Sequence, residues 1–117
     1  MTNDIPFTTL LENRVIGRIY TGLEAGCRCG CHGRYFEPGT VGFTRALNKA
    51  RKLNPIVTET DDYSVSGKLI NEQTLHDYDG KVTAHAYRYA NVGSDGVTEW
   101  IDICDGNGKT ITLYLKN

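Results

Sequence analysis

No stretch of this chain approaches the ~20 consecutive apolar residues that a membrane-spanning helix needs, which excludes a helical membrane protein. The start, Met1-Thr2-Asn3-Asp4, lacks both the basic region and the apolar core of a secretory signal. The expected location is therefore the cytoplasm, where thiols stay reduced. There is no internal repeat and no low-complexity segment. Catalysis has little to rest on: no Ser/His/Asp order, phosphate-binding loop or paired-carboxylate site stands out, and no catalytic residue is assigned. Asp105-Gly106-Asn107-Gly108-Lys109 lacks the spaced acids and closing Glu of a calcium-binding EF-hand loop. The Cys-x-x-Cys pairs of familiar zinc modules are missing too.

Cysteine is scarce but unevenly placed. Three of the four cysteines and one of the three histidines fall in Gly26-Cys27-Arg28-Cys29-Gly30-Cys31-His32-Gly33. In an extended segment residues i, i+2 and i+4 point the same way, so Cys27, Cys29 and Cys31 would line one side of a loop over 26–34. Three converging thiolates form a soft site suited to Zn²⁺. A fourth ligand would be His32, if the chain turns at Gly33, or the remote Cys104, His76 or His85. The competing readings are a redox-active dithiol and small residues filling a tight loop, with cysteine acting as a small apolar side chain. A disulfide between alternate cysteines would force a strained ring.

Charge is uneven as well. Residues 1–53 carry eight basic and four acidic side chains, net +4, and residues 54–117 carry five and ten, net −5. Either the two halves attract each other in the fold, or the basic half meets a polyanion. Arg45, Lys49 and Lys52 would share the outer face of one helix, with Arg51 at its margin. Arg28 and Arg34 of the loop would extend this into a phosphate-contacting patch. The bland reading is a solvated face whose late cations suit the helix C-terminal dipole.

The length fits a single domain, residues 1–117. Residues 1–10 read as a polar tail in which Pro6 blocks regular pairing, with Leu10-Leu11 as an anchor. Val15–Tyr20 reads as a strand and Arg34–Phe36 as a short one. Thr40 caps a helix over 41–53 whose apolar residues Phe43, Ala46, Leu47, Ala50 and Leu53 recur at helical spacing. Asn54-Pro55 stops it, with Asn54 suited to a left-handed position. Residues 56–116 then read as antiparallel strands near Ile56–Thr60, Tyr63–Ile70, Gln73–Tyr78, Lys81–Val92, Val97–Cys104 and Lys109–Lys116. Turn residues separate them, Asn71-Glu72 among these.

The last hairpin has a register legible from pattern. A loop Gly106-Asn107-Gly108 pairs Ile103/Ile111, Ile101/Leu113 and Glu99/Leu115 on one face. It pairs Cys104/Thr110, Asp102/Thr112 and Trp100/Tyr114 on the other. The preceding hairpin is ambiguous. A loop Gly93–Gly96 puts Ala86, Ala90 and Val92 on the core face and Tyr87 and Tyr89 outside, while a loop Ser94–Gly96 does the reverse. If exposed, Tyr87, Tyr89, Trp100 and Tyr114 would suit a protein interface or base stacking.

The expected fold is α+β, a single helix packed on an antiparallel sheet of four to six strands with a C-terminal meander. The expected function is that of a small non-enzymatic binding protein. Its Cys-rich zinc loop and basic helix face would contact nucleic acid or an acidic protein, with no membrane partner. The alternatives are a metal-free interaction or inhibitor module acting through an aromatic sheet face, and a thiol-dependent enzyme.

Overall fold

The computed structural model describes residues 4–6, 11, 14–23, 33–58, 69–93 and 96–116. Among these residues one helix, α1 (Val41–Leu53), packs on an antiparallel sheet. Five strands are long: β2 (Val15–Leu23), β5 (Leu69–His76), β6 (Val82–Gly93), β7 (Gly96–Cys104) and β8 (Lys109–Lys116). Three are short: β1 (Asp4–Pro6), β3 (Gly33–Phe36) and β4 (Ile56–Thr58). The order across the sheet is β1-β4-β5-β6-β7-β8-β2-β3. This is the expected α+β architecture, with β5 to β8 forming the C-terminal meander; the short edge strands β1 and β3 extend the expected four to six strands to eight.

The strand order explains where the helix lies. β3 is one edge of the sheet and β4 is next to the other. The chain between them must cross six inter-strand steps, about 29 Å on a flat sheet. A 13-residue helix supplies about 20 Å of that, and residues 37–40 and 54–55 supply the rest. The helix therefore lies across one face. Its buried Ala46 and Ala50 pack with Ile16, Ile19, Leu75, Ala84, Ala86, Ile101, Ile103, Leu113 and Leu115, flanked by Leu11, Phe36, Phe43 and Leu47. Small residues on the contact stripe let the helix sit close to the sheet.

The helix begins as the sequence indicates. Thr40 Oγ1 accepts from the Phe43 backbone N–H at 3.2 Å. Its end differs in mechanism. Asn54 is not left-handed (φ −132°). Its backbone N–H and its Nδ2 both donate to the Ala50 carbonyl, each at 3.0 Å. Its Oδ1 accepts from Thr83 Oγ1 on β6. Asn54 is thus a buried clamp between helix and sheet, a role that only the tertiary contact reveals.

The β7–β8 register is Glu99/Leu115, Trp100/Tyr114, Ile101/Leu113, Asp102/Thr112, Ile103/Ile111 and Cys104/Thr110, as read from pattern. Gly108 sits at φ +86°, the left-handed position that the three-residue loop wants. The ambiguous β6–β7 hairpin pairs Gly93 with Gly96, so Ala86 opposite Ile103 faces the helix and Tyr87 and Tyr89 face away. Two boundaries differ from expectation. Residues 4–6 of the expected tail form β1, paired with β4, and Pro6 is tolerated because β1 is an edge strand. Asn71-Glu72 does not break the chain: β5 runs through it, and its register shifts against β6 fall between Leu69 and Asn71 and between Leu75 and His76. The strand expected over Tyr63–Ile70 lies largely outside the described residues.

A charged cluster lies on the helix-facing side. Glu99 accepts from Arg88 Nη2 at 3.2 Å and also pairs with Arg14. Arg88 is 7% exposed, so this carboxylate neutralises a guanidinium held away from water.

Candidate functional site

The second half of α1 forms one wall of an open groove of about 770 Å³. Arg45, Asn48, Lys49, Arg51, Lys52 and Leu53 line it from the helix, Pro55 follows, and Tyr78 closes it from the β5–β6 turn. The four cations are exposed. None forms an ion pair with a carboxylate among the described residues. Arg51 Nη2 donates to Asn48 Oδ1 at 3.1 Å, one turn back. Leu53, expected in the core, is 53% exposed and belongs to the groove wall.

Tyr78 is 84% exposed. Its turn is held from within: Asp77 Oδ1 accepts the backbone N–H groups of Asp79 and Lys81, each at 2.9 Å. The Asp77 N–H donates to the Lys81 carbonyl at 3.0 Å, and Gly80 supplies φ +85°. Sequence reasoning places Tyr78 at the end of a strand and misses its role in the groove. The available signal is an aromatic inside the turn run Asp77-Tyr78-Asp79-Gly80, where a side chain has no sheet to pack on.

The other predicted phosphate contacts do not join the groove. Arg34 is exposed on the edge strand β3 and does not line it. Arg28 lies outside the described residues, as do Cys27, Cys29, Cys31 and His32. Among the described residues no group of three or more His, Cys, Asp or Glu side chains is gathered to hold a metal. Cys104 is buried, 3.8 Å from Thr110 Oγ1. It stands on the face turned away from the helix, directly opposite His85 on β6. His85 Nδ1 is buried, without a hydrogen-bond partner among the described residues. The same row runs through Thr110 on β8 and Gly22 on β2 to Gly33 on β3. Gly22 and Gly33 thus stand near the two ends of the Cys-rich segment, in register with Cys104. His76 Nδ1 lies 3.0 Å from the Asp77 carbonyl oxygen and serves the turn.

Tyr87, Tyr89, Trp100 and Tyr114 share that same face and are half-buried. Tyr89 and Trp100 stack with centroids 5.4 Å apart. Tyr114 neighbours Tyr35 at 6.3 Å, and Tyr35 neighbours the buried Tyr20 at 5.1 Å. Arg18 lies 5.0 Å above the Tyr35 ring and donates to Glu37 at 2.8 Å. Tyr20 and Tyr35 are absent from the set expected from sequence, because nothing in the pattern indicates that β2 pairs with β8.

No helix among the described residues is long and apolar enough to cross a membrane. No protein-family model, curated protein or solved structure matches the chain.

Proposed function

We propose that this chain is a small non-enzymatic binding protein that holds a nucleic-acid backbone along the outer face of α1. The observation that carries the reading is the groove: Arg45, Lys49 and Lys52 on one helix face and Arg51 at its margin all line it, without carboxylate partners among the described residues. Had the described acids of the sheet served to attract the basic half, these side chains would be expected to lie against them, and among the described residues they do not. If all four contact phosphates of a single strand, log K falls with log[salt] at a slope of about −2.8, or about 50-fold between 50 and 200 mM. Fluorescence anisotropy of a labelled 20-nucleotide strand across that range tests it. Binding that is absent or insensitive to salt overturns it.

A zinc site built on Cys27, Cys29 and Cys31, with His32 or Cys104 as fourth ligand, belongs to the same proposal, as does a cytoplasmic setting that keeps the thiols reduced. Support comes from the register of Cys104 with Gly22, two strands or about 10 Å away at the usual spacing. Half of a nine-residue connection, at ~3.4 Å per residue, spans that distance. Protein purified without added metal should carry close to one zinc, and Cys104→Ser should lower that content if Cys104 is the fourth ligand. Less than about a tenth of an equivalent, with all four thiols free to titrate, removes the metal from the proposal.

A second reading, a metal-free interaction or inhibitor module, is supported by the half-buried Tyr89–Trp100 stack on the face turned away from the helix. Trp100 is the only tryptophan, so its emission reports that face alone. A strand bound in the groove should leave the emission unchanged. A shift on binding would move the interface to the aromatic face.

A further inference from the structure

We propose that the groove selects single-stranded over duplex nucleic acid, because Tyr78 offers its ring to an unpaired base. The inference rests on the polyanion reading above and names the class of strand.

Three observations carry it. First, Tyr78 is 84% exposed. An aromatic side chain this free of the fold contributes little to stability, yet its backbone is fixed by the Asp77 carboxylate and by the backbone hydrogen bond between Asp77 and Lys81. A fixed base with a free ring is the arrangement that stacks at small entropic cost. Second, the ring stands at the wall of the groove that the cations line, not on a separate surface. Stacking and phosphate contact can therefore engage one strand together. Third, the charge is graded along the helix. Arg51 and Lys52 lie in the last turn, where they offset the negative end of the helix dipole. Arg45 and Lys49 lie further up, where the dipole opposes an anion less, and they are the main phosphate contacts.

A duplex can offer its phosphates to Arg45 and Lys49, but its bases are already stacked and paired. Opening one for Tyr78 costs a few kcal/mol per step. A single strand has no such cost. Asp77 and Asp79, the acids of the same turn, do not line the groove.

The test is anisotropy with a labelled 20-nucleotide single strand and the matching duplex at 100 mM salt, with polyglutamate as competitor. The proteins are wild type, Tyr78→Ala, Tyr78→Phe and the double variant Arg45→Gln/Lys49→Gln. The expected result is tighter binding of the single strand. Tyr78→Ala should weaken it about tenfold, the worth of one stacked base, with the salt slope unchanged and Tyr78→Phe close to wild type. The double variant should weaken both strand forms. If Tyr78→Ala has no effect and duplex binds as well as single strand, while the double variant weakens both, the inference falls and the polyanion reading stands. If polyglutamate competes as well as the strand and Tyr78→Ala changes nothing, the partner is an acidic protein and the inference also falls. If no oligonucleotide binds at all, both fall.

Discussion

Glu99 shows how a single residue ties local pattern to tertiary chemistry. Its place on the helix-facing side is legible in the alternation of β7, where it shares a row with Ile103 and Ile101. An acid at the end of an apolar row has no local explanation. The structure supplies one: Arg88 from β6 and Arg14 from the segment before β2 both meet its carboxylate. Removing one member of a buried ionic group costs about 3–5 kcal/mol, because the remaining charge stays buried. Glu99→Ala should therefore lower unfolding stability by about that amount, read from urea melts, and Glu99→Gln by less. Gly33 is constrained by space. A Cβ there would lie 2.4 Å from the Thr21 carbonyl oxygen and 2.5 Å from the Tyr20 hydroxyl. The carbonyl belongs to the paired strand and cannot swing aside, so Gly33→Ala should cost about 1–3 kcal/mol. Its neutrality in the same melts would mean that β2 and β3 pair more loosely than the geometry implies.

The helix and the last hairpin are legible as elements because each is specified locally. Thr40, the spacing of Ala46 and Ala50, and Pro55 fix the helix. Gly106, Gly108 and the facing apolar residues fix the hairpin. Sequence could not supply the pairings that depend on distant chain: β2 with β8, β1 with β4, and Asn54 with Thr83. These set which residues share the aromatic face and how the helix ends, so Tyr20, Tyr35 and the clamp at Asn54 stay hidden. The cation set of the helix is legible from spacing, whereas its opposite wall at Tyr78 is not, because it comes from a turn 25 residues further along. The hairpin also yields a prediction. Gly108 sits at φ +86°, and a Cβ added there would meet nothing within 4 Å, so backbone strain alone decides the outcome of a substitution. Gly108→Ala should destabilise by about 1–2 kcal/mol. Gly108→Asn, which tolerates the left-handed region, should recover part of the loss in the same thermal melt.

At the scale of the whole molecule, the two halves of opposite charge pose a question that ionic strength can answer. If the +4 half and the −5 half held each other together, salt would screen their attraction and lower the melting temperature. The geometry argues otherwise. Arg45, Lys49, Arg51 and Lys52 face outward into a groove without carboxylate partners among the described residues. Arg45 and Lys49 stand four residues apart on one helix face, a like-charge pair that costs a few tenths of a kcal/mol. Screening relieves that repulsion. Of the ion pairs described, Arg18–Glu37 is exposed and worth ~1 kcal/mol at most, whereas Arg88–Glu99 is shielded from salt by burial. Raising salt from 50 to 500 mM should therefore leave the melting temperature level or slightly raised, while the affinity for a single strand falls steeply. A fall in both together would mean that the helix cations are engaged within the fold, and the groove would lose its claim to an external partner. Arg45→Gln/Lys49→Gln separates the two cases without added salt. It should raise the melting temperature slightly while it abolishes most of the binding, because the same two charges that repel each other on the free helix are those that a phosphate backbone would bring into balance.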